Sequence, residues 1–236
     1  MMKKKYKFMT CNWENLIYLN FHMDPELLAP FLPKDTEPDL LNGKAVISIV
    51  CFEFSNARLF GFKIPFHQYF PEINIRTYVK KKDNGNIKGI YFLSEMVPKF
   101  MTYFTGKFIY GEPFSLRKLK ISKTEKDLKY FIKDSGCEME IEAGKKNMHS
   151  DRELTEEEEF VIERSLAFCG KASQNARMYE VKHQKWNLVE SSNFNFTIKK
   201  IRHISSDIQN VLLDKKPESI FMTDGSGVEV YKDLFI

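Results

Sequence analysis

The sequence has few of the residues that build the most familiar catalytic and structural sites. Its four cysteines lie far apart and form no Cys-x-x-Cys pair, which leaves a zinc site or a disulfide framework without support. The five histidines show no His-x-His, His-x-x-x-His or His/Glu helical spacing. The acidic run 156–159 is explained by the start of a helix. We therefore predict no metal site.

Nucleotide-binding and nucleophile motifs are also missing. The chain contains no Gly-x-Gly-x-x-Gly, no P-loop and no Gly-x-Ser-x-Gly, so we predict no cofactor and no serine hydrolase. No segment approaches the ~20 apolar residues of a membrane span. The polar residues 11–15 interrupt the N-terminus before a signal peptide could develop. We expect a cytoplasmic protein without a membrane partner.

Positive charge is not concentrated on one stretch of the chain. The net charge is +4, and the lysine clusters 3–5, 80–82 and 145–146 each adjoin a turn or a terminus, as solvated residues do. Nucleic-acid-binding proteins usually gather basic residues on one face or stripe. We predict no nucleic-acid partner, and the sequence carries no signal for an oligomeric state.

Aromatic residues are abundant, with 21 Phe and 10 Tyr among 236 residues. Aromatic side chains pack well on pleated surfaces, so this supply favours wide β-sheets, and it would also suit an aromatic-lined pocket. The length fits one all-β barrel or sandwich, and no repeat or low-complexity linker divides the chain. We expect one domain over residues 1–236.

Turn and cap residues divide the first half of the chain into elements. Asp24 as N-cap and Pro25 as first helical residue predict a short helix that closes by Phe31. Asn42-Gly43 predicts a tight hairpin turn before an apolar strand at 45–54. We further predict a long aromatic loop at 55–71, a hairpin of strands 72–80 and 87–95, and a short helix at 98–107.

The sequence of the second half predicts mainly strands, with one helix among them. Thr155 with Glu158 three residues later is a capping box, and it predicts a helix that runs to Gly170. The residues 224–227 predict a turn. Strands are predicted at 113–123, 127–134, 137–143, 177–183, 187–200, 219–222 and 228–231.

The segment 71–79, Pro-Glu-Ile-Asn-Ile-Arg-Thr-Tyr-Val, is the most informative part of the sequence. Because side chains alternate along a strand, one of its faces is a row of polar groups, Glu72, Asn74, Arg76 and Tyr78. A half-solvated antiparallel strand produces this alternation routinely. A strand in the middle of a closed sheet would instead point its polar face into a cavity, and the apolar strands on either side favour that position.

Five segments resemble the YqjF-like family of uncharacterised conserved bacterial proteins. They occur in the family's order over nearly the whole chain: 39–45 (DLLNGKA), 71–79 (PEINIRTYV), 162–164 (IER), 183–188 (HQKWNL) and 227–230 (GVEV). That family is grouped by fold with acetoacetate decarboxylase. The resemblance implies an α+β fold, mainly antiparallel β, in which an acetoacetate decarboxylase-like β-barrel with an internal cavity carries a few short covering helices.

Acetoacetate decarboxylase works through a Schiff-base lysine whose pKa is lowered by a second lysine and an apolar pocket. Lys99 lies roughly where such a lysine would be sought, but Phe100 rather than a second lysine follows it. We therefore do not transfer the decarboxylase activity, and we keep Lys99 and Lys107 only as secondary candidates.

Three functions stay open for the predicted barrel. The first is the binding of a small organic anion or polar metabolite in the cavity, with ligand-binding residues Glu72, Asn74, Arg76, Tyr78, His183 and Trp186. The second is a lyase- or isomerase-type enzyme acting on small carbonyl acids, with Glu72 as general base and Arg76 as the anchor for a carboxylate. The third is a structural or interaction protein whose barrel is filled with side chains.

Overall fold

The computed structural model describes residues 6–150 and 152–234, and it consists mainly of β-strands. The strands are β1 (Lys7–Met23), β2 (Thr36–Pro38), β3 (Leu40–Leu41), β4 (Lys44–Leu59), β5 (Phe62–Lys63), β6 (Phe70–Lys81), β7 (Lys88–Val97), β8 (Phe114–Leu116), β9 (Leu119–Lys123), β10 (Asp127–Lys133), β11 (Cys137–His149), β12 (Leu166–Cys169), β13 (Arg177–His183), β14 (Leu188–Ile201) and β15 (Ser219–Leu234). The helices are α1 (Pro25–Leu28), α2 (Phe100–Phe104), α3 (Glu156–Ile162) and α4 (Ser206–Asp214). A 3₁₀ turn, Ala29–Phe31, extends α1, and a π-helical segment, Thr105–Tyr110, extends α2.

Seven strands close into a barrel in the order β1, β4, β6, β7, β12, β13, β15. The pairing of β1 with β15 closes the ring, and it runs from Asn20 opposite Ser219 to Lys7 opposite Tyr231. Neighbouring barrel strands are antiparallel except β7 and β12, which are parallel. The structure confirms an α+β fold, mainly antiparallel β, that forms a barrel with a few short helices.

A second layer of strands covers part of the outside of the barrel. The strand β14 pairs with β15, and the sheet continues through β11, β10 and β9. Side chains such as Tyr130 and Ile141 from this layer form one buried cluster with Ile49 of β4 and Ile75 of β6, and α4 adds Leu212. Removal of these apolar groups from water stabilises the contact between the two layers.

A separate apolar cluster lies on the inner side of the barrel. It includes Phe52 of β4, Phe92 of β7 and Phe221 of β15, and α3 packs onto it through Val161. The capping box that begins α3 is formed as predicted. The two clusters explain why the barrel strands are buried on both faces.

Several local predictions from turn chemistry are confirmed. Asp24 caps α1, and the 3₁₀ turn that follows ends at Phe31. Asn42 and Gly43 both have positive φ, as a type I′ hairpin turn requires. The strands β6 and β7 form the expected hairpin. The helix predicted at 98–107 is present, but α2 and its π-helical segment begin at Phe100 and end at Tyr110.

The predicted loop at 55–71 is wrong for most of its length. The strand β4 continues to Leu59, the chain turns at Phe60-Gly61, and β5 pairs back onto β4. The strand β6 then begins at Phe70. The glycine at position 61, with a φ of 85°, makes a tight turn inside an extended ribbon rather than opening a loop.

Two further boundaries differ because partner strands override local signals. The helix α3 ends at Ile162 rather than Gly170, since 166–169 pairs with β7 on one side and β13 on the other. The predicted turn at 224–227 is part of β15, because β1 is long enough to pair across it, with Glu14 opposite Gly225. The helix α4, capped by Ser205, was not predicted. Among the described residues, no helix has both the length and the apolar character needed to span a membrane.

Candidate functional site

The polar face of β6 points into the barrel. The strand pairs with β4 on one side and β7 on the other, so it is not an edge strand. Its polar residues are between 0% and 6% exposed, which rules out a half-solvated strand: Glu72, Asn74, Arg76 and Tyr78. The apolar face of the same strand belongs to the cluster between the two layers.

A cavity of about 240 Å³ lies beside this polar face. Its wall is mainly apolar and rich in aromatic rings, with Phe52, Phe54, Phe70, Phe92 and Phe114 among the lining residues. Its polar lining includes Glu72, Asn74 and Arg76 of β6, Glu95 of β7, Glu112 and Tyr179. Further polar lining residues come from the flanking segments: Arg58, His67, Thr102, Thr105 and Tyr110. The cavity is therefore an apolar chamber with a small set of ionisable groups.

Arg76 is the buried cation of the cavity. Its Nη2 donates to the Val161 carbonyl oxygen at 3.1 Å, and its Nε donates to the Tyr78 hydroxyl at 3.4 Å. The guanidinium carbon also lies 5.5 Å from the ring centroid of Tyr18. None of the described carboxylates forms an ion pair with this guanidinium, and burying a charge without a counter-ion is costly.

A chain of hydroxyl and amide groups holds Tyr78 in place behind Arg76. The Ser48 hydroxyl donates to Asn20 Oδ1 at 2.6 Å and lies 2.8 Å from the Tyr78 hydroxyl. Because Ser48 has one proton and gives it to Asn20, the Tyr78 hydroxyl must donate to Ser48. The Tyr78 oxygen is then left to accept from Arg76. This order of donors and acceptors helps to fix the orientation of the Arg76 guanidinium at the cavity.

Two of the carboxyl groups that line the cavity, those of Glu72 and Glu95, favour their neutral forms. Burial raises the pKa of Glu72 to about 8, with Glu112 adding to the effect, although a 3.3 Å hydrogen bond from Asn74 opposes it. Burial and the neighbouring Glu112 also raise the pKa of Glu95 well above its usual range. At neutral pH the carboxyls of Glu72 and Glu95 therefore do not act as counter-ions of Arg76.

A buried acceptor atom of a cavity-lining residue, Asn74 Oδ1, lacks a hydrogen-bond partner within residues 6–150 and 152–234. The carboxyl of Glu95, opposite Asn74 in the β6–β7 ladder, interacts with the side chain of Glu112. Buried polar atoms are nearly always satisfied in folded proteins. The position of Asn74 Oδ1 supplies hydrogen-bonding capacity for a bound molecule near Arg76.

Not all the predicted site residues lie at the cavity. Tyr78 is fully buried behind Arg76 and does not line it. His183 and Trp186 stack on each other with centroids 3.9 Å apart, but neither lines the cavity. Trp186 donates to Ser226 Oγ at 2.8 Å and sits behind Trp13, so the cavity wall in front of it is Trp13. Of the predicted ligand-binding residues, Tyr78, His183 and Trp186 therefore lie outside the cavity lining, whereas Glu72, Asn74 and Arg76 line it.

Neither candidate lysine reaches the cavity. Lys99 is the N-cap residue of α2, and Lys107 is exposed with its Nζ 5.2 Å from the Tyr103 ring centroid. Within the described part of the chain, the residues that line the cavity include no lysine. A Schiff base requires a neutral amine beside the substrate carbonyl, and this cavity does not provide one.

Glu95, Glu112 and Tyr179 were missed from the sequence. Glu95 lies opposite Asn74 only because a β-bulge between Ile75 and Arg76 shifts the β6–β7 register by one residue. The register set by the 82–87 turn alone would place Ser94 opposite Asn74, so the turn could not identify Glu95. Glu112 follows the π-helical segment, and its approach to the cavity depends on tertiary packing that no local pattern reports.

The chain matches known proteins in sequence. A family model, DUF2071, described as uncharacterized conserved protein (COG2071), matches residues 10–225. Uncharacterized protein YqjF of Bacillus subtilis (strain 168) is 29% identical over 122 residues, which are 51% of this chain and 49% of that protein. The aligned part thus spans about half the length of this curated relative.

Solved structures share the fold at low identity. An acetoacetate decarboxylase from Legionella pneumophila has a TM-score of 0.66 at 16% identity, over 97% of this chain and 87% of that one. The enduracididine biosynthesis enzyme MppR complexed with pyruvate has a TM-score of 0.65 at 11% identity, over 99% and 91%. An acetoacetate decarboxylase-like enzyme from Sphingomonas wittichii RW1 has a TM-score of 0.64 at 10% identity, over 98% and 94%.

These structural likenesses establish an acetoacetate decarboxylase-like fold, as the sequence resemblance implied. The sequence match over most of the chain goes further than fold. This chain belongs to the DUF2071 family of uncharacterized conserved proteins.

Proposed function

We propose that the barrel binds a small organic acid whose carboxylate pairs with Arg76 and whose apolar body lies against the phenylalanine wall. The observation that carries the proposal is the buried guanidinium that lines the cavity without an ion-pair partner in the described residues. A carboxylate is the natural counter-ion, because it can accept two parallel hydrogen bonds from a guanidinium.

The other ionisable groups support this assignment. An ionised Glu72 or Glu95 in the same cavity would repel a carboxylate ligand, but the raised pKa of each favours the neutral form. A neutral carboxyl can instead donate a hydrogen bond to a ligand oxygen. The volume of about 240 Å³ lies just below the range of about 300–1,000 Å³ typical of small-molecule sites, which suits a metabolite smaller than most drugs.

The cavity favours binding over a purely structural barrel. A filled interior would leave no space next to Arg76, whereas a chamber with a polar end and an aromatic wall resembles known small-molecule sites. A structural or interaction protein with a filled barrel is therefore the least favoured of the three functions.

A thermal-shift comparison of acids with their primary amides tests the proposal. The acids would include short 2-oxo acids and aromatic acids, and each amide removes the charge while keeping the shape. We expect acids to raise the melting temperature of the wild type, amides to have little effect, and Arg76→Met to abolish the difference. The control Arg202→Met changes an exposed arginine and should behave as the wild type. Equal shifts for acids and amides would contradict the proposal.

An acid–base enzyme acting on carbonyl acids is the second candidate. The observation that favours it is the carboxyl of Glu72, with a pKa raised to about 8, in the same cavity as Arg76. A similar fold has been solved with pyruvate bound, in MppR, and pyruvate is a carbonyl acid. With no lysine at the cavity, the reaction would be removal and return of a proton next to the carbonyl, with Glu72 as base.

Deuterium exchange separates the enzyme from the binding protein. A 2-oxo acid would be incubated with the protein in deuterated water, and the loss of the signal from the protons at C3 would be followed by nuclear magnetic resonance. If the protein is this enzyme, the rate of exchange should rise with pH and level off above about pH 8, where Glu72 is ionised. The Glu72→Gln variant should show no exchange. Ligand-induced stabilisation without exchange supports binding alone.

A further inference from the structure

Two segments with exposed aromatic side chains border the cavity. Segment 55–69 contains the end of β4, the turn and β5, and segment 98–111 contains α2 and its π-helical extension. Both contribute residues to the cavity lining, such as His67 from the first and Tyr110 from the second. Phe8 links them, because its carbonyl accepts from Phe60 N at 2.7 Å and its ring stacks on Tyr110 at 5.2 Å. We call the two segments together the aromatic rim.

The rim exposes large apolar side chains that a soluble surface normally buries. Phe66 is 88% exposed and Phe62 is 77% exposed. On the other segment Phe100, Phe104 and Phe108 follow each other at helical spacing, with centroids 6.2 Å and 5.1 Å apart, and all three are exposed. Contiguous apolar surface of this kind marks an interaction site.

The charge of the rim has one sign. Neither 55–69 nor 98–111 contains an aspartate or a glutamate, whereas together they contain Arg58, Lys63, Lys99 and Lys107. None of these four cations forms an ion pair with a described carboxylate, although many lysines elsewhere are paired, for example Lys80 with Glu37. The rim therefore presents aromatic groups and uncompensated positive charge together.

We propose that the aromatic rim docks on an anionic lipid surface. Phenylalanine side chains would enter the boundary between headgroups and acyl chains, while the arginine and lysines would contact lipid phosphates. A second copy of the chain is a poorer occupant, because a two-fold contact would place the same four cations against each other. An acidic protein would satisfy the charge, but it would not use the protruding rings in the way that a fluid apolar layer does.

Docking on the surface of a membrane differs from spanning the membrane. The expectation of no membrane partner rested on the absence of a long apolar segment, which surface docking does not require. It also explains why an apolar cavity opens between the two segments, since a lipophilic acid could pass from the lipid into the barrel. The docking stands on the rim alone and does not depend on the identity of the ligand.

Vesicle binding by the full chain tests this proposal. Sedimentation would be measured with vesicles of phosphatidylcholine alone and with vesicles that also contain phosphatidylglycerol. We expect binding to the anionic vesicles that weakens as salt is added. The double variant Phe62→Ser/Phe66→Ser should weaken it at least about tenfold. The variant Lys63→Gln/Lys107→Gln should remove the preference for anionic lipid.

Matched controls change the same kinds of residue away from the rim. Leu27→Ser/Leu40→Ser removes exposed apolar side chains, and Lys120→Gln/Lys216→Gln removes exposed lysines, and both should bind vesicles as the wild type does. If the double variant Phe62→Ser/Phe66→Ser does not fold, the single variant Phe66→Ser is used to measure the loss of vesicle binding. Absence of vesicle binding by the wild type, or equal losses in the controls, would overturn the proposal. A dimer in lipid-free buffer that Phe62→Ser/Phe66→Ser dissociates would assign the rim to a second copy instead.

Discussion

The two faces of β6 are equally buried but chemically opposite. The face toward the second layer carries Ile73 and Ile75, which contact other apolar side chains in a closely packed cluster. The face toward the cavity carries Glu72, Asn74 and Arg76, and it borders empty space. Burial is normally unfavourable for such polar groups unless they are satisfied.

The difference indicates that the two faces serve different purposes. The apolar face holds the layers together, so its value lies in the stability of the fold. The polar face keeps a charged guanidinium, a carboxyl with a raised pKa and an unsatisfied amide oxygen inside the barrel, and stability does not explain any of them. The comparison predicts that substitutions on the two faces will separate stability from binding.

Ile75→Ala should give the largest change in stability. It removes a fully buried side chain from the cluster between the layers, so the free energy of unfolding should fall by about 3 kcal/mol. Urea denaturation followed by tryptophan fluorescence measures the change. The fraction that stays folded should still respond to organic acids, and a loss of that response would show that the two faces are not independent.

The pH dependence of stability should reveal the raised pKa of Glu72. Unfolding returns this group to its usual pKa near 4.5, so between about pH 4.5 and about pH 8 the unfolded chain holds fewer protons than the folded one. The free energy of unfolding should therefore decrease as pH rises through this window, and level off above it.

Denaturation of the wild type and of Glu72→Gln across this window isolates the contribution. The difference between the two curves should change by about 2 kcal/mol or more, because one pKa unit corresponds to about 1.4 kcal/mol. Glu125→Gln, at an exposed glutamate, is the control and should leave the slope unchanged. A constant difference between wild type and Glu72→Gln would mean that Glu72 is not held neutral by the fold.

Tyr78→Phe should have a smaller effect. It deletes the hydroxyl that links Arg76 to Ser48, and such a buried hydrogen bond contributes about 1 kcal/mol. Tyr69→Phe removes an exposed hydroxyl and should change stability by less than about 0.5 kcal/mol. Equal losses in the two variants, measured by urea denaturation, would argue against the ordered chain of donors behind Arg76.

Arg76→Met should have the smallest effect on stability, although it lies in the same buried row. Replacing a buried charge without a counter-ion by an apolar side chain is expected to be neutral or to stabilise by about 1 kcal/mol. Arg164→Met is the matched comparison, because the side chain of Arg164 is only 9% exposed and pairs with Asp39 at 2.9 Å. It should destabilise by about 2 kcal/mol or more, since Asp39 loses this partner. A large destabilisation by Arg76→Met would give the guanidinium a structural role.

The sequence predicts much of the local structure around the site. Alternation along 71–79 identifies which side chains share a face, and Asn42-Gly43 and the Thr155 capping box identify a turn and a helix start. These signals are local, since each depends on residues within a few positions. The barrel itself came from the family resemblance, because closure depends on β1 pairing with β15 at the far end of the chain.

The failures share a physical cause. The cavity needs Glu112 and Tyr179 from distant segments, and their approach depends on how the π-helical segment and β13 pack. The placement of Trp186 behind Trp13 depends likewise on tertiary contacts. The sequence predicts a helix at 166–169 and a turn at 224–227, but both segments are strands in the structure. They are strands because they pair with other strands, which local sequence patterns do not report.

A crystal structure of the protein with a bound organic acid tests the central claim most directly. The acid would be the one that gives the largest thermal shift, and its carboxylate can be located by electron density. We predict both carboxylate oxygens within hydrogen-bonding distance of the Arg76 guanidinium, with the apolar part against Phe52 and Phe92. A carboxylate bound elsewhere, with the space beside Arg76 occupied by water alone, would contradict the account.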